Sequence, residues 1–220
     1  MQCGLEPIWI SLQVMFWSSL LLIVLGLPLA WLLSRRSWFG QGALEILVTL
    51  PLVFPPIAIG FFLLLLLGRD GWLNHWLPDG FQVELVFSFA ALLLASVIAG
   101  LPLMIKPIQA AWQNETHSLV EAAYGLGKPP LVTFWRVTLP SIAPAVAAGL
   151  TLGVGRGMGE VGMSLMLGGN LVGQTDTLSL AIYNSVMDGD FACAMQFTWI
   201  LAGIALTLFF VLRRLGRRNY

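Results

Sequence analysis

Charge is scarce in this 220-residue chain: charged residues make up 10 %, and eleven bases cancel eleven acids. Soluble domains carry about a quarter, so an ordinary soluble domain is excluded, and no hydrophilic stretch is long enough to build one. Cysteine is nearly absent. Cys3 and Cys193 are too few for a disulfide framework, and a bridge between them is not expected. The two histidines, His75 and His117, are isolated from each other, so no metal site is expected. Both fall in loops, which deprives an intramembrane hydrolase of its base. The phosphate-loop pattern G-x-x-x-x-G-K-[ST] is missing, so any ATP hydrolysis has to reside on another polypeptide.

What the chain has in quantity is apolar surface: 58 % of its residues are hydrophobic, and the mean hydropathy is +0.85. Five apolar runs, at about residues 8–33, 46–67, 85–105, 142–167 and 195–212, are long enough to span, since a bilayer needs about 20 residues in a helix. The first run has no basic segment before it and is long for a signal peptide, so it reads as a helix. With no internal repeat or linker, residues 1–220 read as a single domain, an all-α integral membrane bundle of about five helices.

The bases orient it. Arg35 and Arg36 follow the first run; Lys106, Lys128 and Arg136 follow the third; Arg213, Arg214, Arg217 and Arg218 follow the fifth. The opposite set of segments holds Arg69 alone among bases, with the acids Glu6, Asp70, Asp79, Asp176, Asp188 and Asp190. By the positive-inside rule the N-terminus is outside and the C-terminus inside.

Within the spans, Pro51, Pro55, Pro56 and Pro102 free backbone carbonyls and bend their helices, either as packing geometry or because the broken backbone lines a pathway. The fourth run is rich in glycine. Gly153/Gly157 and Gly155/Gly159 are G-x-x-x-G pairs, suited to close helix contact or to leaving room for a solute. Arg156 and Glu160, four apart on one helical face, are ionisable at membrane depth. They read as a mutually neutralising pair or as pathway residues, with the guanidinium suited to a tetrahedral oxyanion. Arg before Glu is the weaker local order, which leaves partners elsewhere as an alternative to the mutual pair. Leu178–Met187, in the segment before the fifth run, is apolar with a helical pattern and reads as a surface helix or a ledge for an external partner.

Between the third and fourth runs, residues 107–140 carry Glu121-Ala122-Ala123, then Gly127, Val137, Leu139 and Pro140. Glu121 is expected to open a short helix, Gly127 to end it in a turn, and Pro140 to start the next long element. Pro129-Pro130 fits only a first helical turn. This spacing resembles the EAA signature of membrane-spanning subunits of binding-protein-dependent ABC importers, in which the loop docks into a cytoplasmic ATPase. The orientation agrees, since it places this loop in the cytoplasm.

Three more stretches look like the permeases of molybdate ABC importers: Leu50–Pro56 with Gly60 and residues 68–71; Leu101–Met104; and Arg156-Gly-Met-Gly-Glu-Val-Gly162 followed by Gly169-Asn170, Gly173, Thr175, Thr177-Leu178 and Ala181–Tyr183. The R-x-x-G-E-x-G stretch is shared with sulfate permeases, and E-V-G before G-G-N also with tungstate permeases. The resemblance implies a type I importer permease in the bacterial cytoplasmic (inner) membrane. It also implies a homodimer with its pathway at the two-fold interface, an ATPase dimer below that carries ATP and magnesium, and a periplasmic or extracellular oxyanion-binding protein above. The chain itself would have no catalytic site or cofactor and no nucleic-acid partner, with lipid around it. Gly169, Asn170, Thr175 and Thr177 become candidate contacts for the external protein. Sulfate or tungstate transport is the alternative. A secondary transporter, using Arg156 and Glu160, would have no use for the EAA loop.

The charge asymmetry predicts that a reporter fused after Tyr220 is active only if it works in the cytoplasm, while one fused after Gly80 behaves in the opposite way; an external C-terminus would overturn the five-span arrangement.

Overall fold

The computed structural model describes residues 3–35, 38–69, 71–75, 85–113 and 117–217, with backbone alone at 117 and 215–217. Of the charges used to orient the chain, Arg36, Asp70, Asp79 and Arg218 lie outside the described residues. The elements are α1 (Glu6–Ser34), α2 (Gln41–Val53), α3 (Pro56–Leu67), α4 (Trp72–His75), α5 (Phe89–Ala111), α6 (His117–Gly125), α7 (Pro130–Thr133), a π-helical segment (Phe134–Thr138), α8 (Leu139–Met158), α9 (Gly162–Gly168), α10 (Leu178–Met187) and α11 (Phe191–Arg217). No strand occurs among the described residues. Five stretches are long and apolar enough to cross a membrane: Glu6–Ser34, Pro56–His75, Phe89–Ala111, Pro130–Met158 and Phe191–Arg214.

The centre of the bundle is the antiparallel pair α5 and α8, flanked by α1 and α11. In lipid, helices gain little from hiding apolar surface, so close backbone packing has to hold them. The small residues of α8 recur at every fourth position and meet a matching row on α5. A Cβ on Gly149 would lie 2.7 Å from the Met104 carbonyl oxygen, and one on Gly157 would lie 2.8 Å from that of Ser96. Between them, a Cβ on Gly100 would lie 2.4 Å from the Gly153 oxygen. The Ser96 hydroxyl donates to the Gly157 carbonyl at 3.3 Å along the same seam. Around it, Leu22 and Leu33 of α1, Met104, Ile105 and Ile108 of α5, and Ile142 and Val154 of α8 form the largest buried cluster.

Two expected spans are not single helices. The run 46–67 breaks at Phe54, whose backbone is extended (φ −82°, ψ 141°). A residue preceding proline is pushed out of the helical region, and Pro55-Pro56 then starts α3 as cap and first residue. The run 142–167 breaks after Met158, and α9 begins at Gly162. The breaks adjoin: a Cβ on Gly162 would lie 3.0 Å from the backbone nitrogen of Ile57, and one on Gly60 would lie 3.0 Å from Met163 Cα.

The cysteines correct a second expectation. Cys3 and Cys193 are joined as a disulfide, with their Cα atoms 5.9 Å apart across 190 residues of sequence. Counting cysteines missed this because the pairing depends on topology: α1 and α11 begin at the same end of the bundle, where α10 packs against both.

The seam makes a direct stability prediction. Gly100→Ala forces two backbones apart and should destabilise the detergent-purified protein by about 1–3 kcal/mol, as overpacked cores do. Gly203→Ala on α11 meets no neighbour within 4 Å and should be neutral or slightly stabilising in the same thermal-unfolding measurement.

Candidate functional site

The loop after α5 forms a helical hairpin. Its first arm, α6, begins at His117, so Glu121 lies midway along it rather than at its start. The expected stabilisation of this acid by the helix N-terminus is therefore largely lost, because that effect fades within the first turn. The arm ends in a Schellman motif: the Lys128 N–H donates to the Ala123 carbonyl at 3.1 Å, and the Gly127 N–H donates to that of Tyr124 at 2.9 Å. Gly127 takes left-handed backbone, φ +73°, as this cap requires. Ala122 and Glu121 are exposed, while Ala123 is buried against the hairpin.

The second arm starts with Pro129 as cap and Pro130 as first helical residue. It then runs without interruption through the π segment into α8. Pro140 lies in the first turn of α8, as expected, although α8 continues the second arm without a break in the helical path. The wider π turn before it, in which the Leu139 N–H donates to the Phe134 carbonyl, accommodates a ring that would clash in a regular helix. Val137 and Leu139 are half-buried. Between them the two arms expose Tyr124 (51 %), Leu126 (78 %), Leu131 (71 %) and Trp135 (61 %), a concentration of exposed large side chains on one short hairpin.

At the far end of the same rod sits the ionisable pair. Arg156 Nη1 donates to Glu160 Oε2 at 2.6 Å, so the two residues are partners despite the weaker helical order. The break in the helix explains this. Glu160 lies past the end of α8, where its second oxygen, Oε1, accepts the Met163 N–H at 3.0 Å and opens α9. Glu160 is buried, whereas the Arg156 side chain is one-third exposed. Gly155 and Gly159 are also exposed, and a Cβ on Gly155 would meet nothing within 4 Å. Thus Gly153 and Gly157 pack against α5, while Gly155, Gly159, Leu152 and Arg156 form an uncovered face. Pro55 and Pro56 make the neighbouring break. The apolar cavity of about 460 Å³ beside it, lined by Leu47, Pro51, Phe54, Phe62 and others, offers an oxyanion no polar partner.

The segment between α9 and α10 is internally tied. The Thr175 hydroxyl donates to the Gly168 carbonyl at 2.6 Å and accepts the Leu171 N–H at 2.8 Å. Thr177 caps α10, and the amides of Asn170 and Asn184 bond reciprocally at 2.7 and 3.0 Å. A Cβ on Gly169 would strike the Phe87 ring. Thr175 and Thr177 are buried, so they shape this segment, and its exposed tip is Leu171–Gln174. That tip escaped the sequence reading because motif residues drew attention to what holds a turn rather than to what it displays. Asp176 is buried beneath it, and burial pushes its carboxyl above the usual range; the Gly173 N–H and its own N–H oppose this, while the nearby Glu6 carboxylate adds to it. Helix α10 is tucked into the bundle through Leu178 and Leu180 rather than lying free on a surface.

The opposite end is tied by polar bonds as well. The carbonyl of Leu33, ending α1, accepts from Gln41 Nε2 at 2.9 Å and from buried Gln109 Nε2 at 3.2 Å. Lys106 Nζ pairs with Glu45 at 2.5 Å. These bonds tie the end of α1, which carries Arg35, to the start of α2 and to the end of α5, which carries Lys106.

Comparison with known proteins agrees with this architecture. The molybdenum transport system permease protein ModB of Azotobacter vinelandii is 35 % identical over 94 % of this chain and 91 % of its own length. ModB of Haemophilus influenzae (strain Rd) is 35 % identical over 83 % of this chain and 80 % of its own. The probable sulfate transport system permease protein cysT of Marchantia polymorpha is 29 % identical over 98 % of this chain and 76 % of its own. Among solved structures, a bacterial alginate ABC transporter in complex with an alginate pentasaccharide-bound periplasmic protein contains a chain that superposes with a TM-score of 0.79. It is 20 % identical, covering 99 % of this chain and 80 % of that one, which shows the shared fold. The model of the family described as "Binding-protein-dependent transport system inner membrane component" matches residues 22–219; this chain belongs to that family of multi-pass inner-membrane transport subunits.

Proposed function

We infer that the chain is the membrane-spanning permease subunit of an ATP-driven importer for molybdate. The observation that carries the mechanism is the unbroken helical run from Pro130 to Met158, which joins an exposed apolar hairpin to the Arg156 face. An ATPase dimer grips the hairpin through Tyr124, Leu126, Leu131 and Trp135. ATP and magnesium are bound there, and the permease performs no covalent chemistry of its own. Closure of the ATPase moves the hairpin, and α8 transmits that motion as a rigid body because glycine packing leaves it little freedom to slide against α5. Two copies of the chain enclose the pathway between their uncovered faces, where Arg156 is the basic group that meets the anion. The external binding protein delivers the oxyanion onto the end formed by Leu171–Gln174 and α10. Identities of 32–35 % to molybdenum permeases against 29–32 % to sulfate permeases favour molybdate narrowly, and sulfate is the second reading.

Loss of this protein should lower molybdoenzyme activity, with excess external molybdate relieving the defect. A sulfur auxotroph with intact molybdoenzymes would make sulfate the substrate. For coupling, Gly127→Val puts a β-branched side chain at positive φ. A penalty of about 1–2 kcal/mol on the turn corresponds to roughly 5- to 30-fold weaker ATPase association, measured by pull-down and accompanied by a matching loss of uptake, while membrane insertion stays normal. A change at exposed Gln113 should be nearly silent. Full association and uptake in Gly127→Val would show that the hairpin is not the coupling element.

A further inference from the structure

The pair at the end of α8 is asymmetric in a way that bears on transport. The Glu160 carboxylate is 2 % exposed and fixed from two sides, by Arg156 Nη1 at 2.6 Å and by the Met163 N–H at 3.0 Å. Arg156 is 33 % exposed on the uncovered face and keeps N–H donors beyond the one given to Glu160, because a guanidinium carries five. It is also the sole base between Arg136 and Arg213 in the sequence. Transport demands an interaction strong enough to admit an ion and weak enough to release it. A bare guanidinium at membrane depth would fail the second requirement for a divalent oxyanion, since Coulomb attraction grows as water is excluded. A buried carboxylate directly behind it cancels most of that field and leaves the forward-facing donors available.

We propose that Glu160 sets how tightly the pathway holds its anion: by compensating Arg156 it lets a tetrahedral dianion pass the guanidinium without being trapped. This rests on the reading of the Arg156 face as the translocation pathway. Glu160 acts through Arg156 and is therefore a positioning and charge-setting residue. Its hydrogen bond to the Met163 N–H explains why it cannot swing away to follow the guanidinium. A dianion approaching from the open face competes with the carboxylate for Arg156, and loses the competition when the pathway opens to water.

The test uses the complete transporter (permease dimer, ATPase and external binding protein) in proteoliposomes, with radiolabelled molybdate as the probe and perchlorate as a monovalent tetrahedral control. Glu160→Gln keeps an acceptor for Met163 and removes the charge. Expected are retention of molybdate by the permease–ATPase complex at least about tenfold longer than in wild type, slower uptake at saturating molybdate, and little change with perchlorate. The thermal stability of Glu160→Gln should rise with added molybdate while that of wild type does not, because bound anion replaces the missing charge. Arg156→Gln should lose uptake without gaining retention. Unchanged retention in Glu160→Gln, with Arg156→Gln inactive, overturns this proposal and leaves the pathway reading intact. Wild-type uptake in Arg156→Gln overturns the pathway reading itself. A Glu160→Gln protein that fails to assemble both with and without molybdate also overturns the proposal, since an anion able to occupy the site would rescue it.

Discussion

The close contact of α5 with α8 is the constraint on which the rest of the molecule depends. Three glycines on α8 and one on α5 bring the two backbones to distances that no side chain permits. Because lipid supplies no hydrophobic drive between helices, this contact replaces what a packed core does in water. It also decides what faces outward. With Gly149, Gly153 and Gly157 turned to α5, the uncovered positions of the same stretch are Leu152, Gly155 and Gly159, and Arg156 lies on the flank, one-third exposed.

From that seam follows the coupling geometry. The rod Pro130–Met158 spans 29 residues, about 43 Å at the helical rise, and its two ends carry the apolar hairpin and the ionisable pair. A helix this long transmits displacement only if it does not bend, and the seam from Gly149 to Gly157 supports the part of it nearest Arg156. The π turn accommodates Pro140, and the helical path runs on through Pro144 as well. The breaks at Phe54 and after Met158 lie beside each other, held by the contact of Gly162 with Ile57. Irregular backbone at membrane depth is tolerated where protein or a polar pathway covers it, and here each break helps to cover the other.

The external end is organised differently, by polar bonds and one covalent link. The Leu178 N–H donates to the Ser11 hydroxyl at 2.7 Å, the Ser179 hydroxyl donates to the Met158 carbonyl at 2.6 Å, and Cys3 is joined to Cys193. An oxidising compartment is where such a bond persists. The orientation read from Arg and Lys puts this end outside the cell, so the two observations are consistent.

The sequence by itself determined the class and orientation of the protein. Five apolar runs, bases gathered on one side and the spacing from Glu121 to Pro140 are one-dimensional features, and membrane insertion reads them as such. It also located the left-handed turn at Gly127, since only a local backbone requirement is involved. What it left undecided was every question of partnership. The i, i+4 spacing of Arg156 and Glu160 allowed either a mutual pair or separate partners; the fold joins them and gives Glu160 a second bond, to the Met163 N–H, because the chain leaves the helix after Met158. Thr175 and Thr177 stood out as motif residues, but only the folded segment shows them buried and Leu171–Gln174 displayed. The Cys3–Cys193 link joins the two ends of the sequence, and nothing short of the arrangement of α1, α10 and α11 brings them together. Local propensities and hydropathy act over a few residues and are legible along the chain; which side chains meet is settled by packing among elements far apart in it, and only the tertiary structure could decide that.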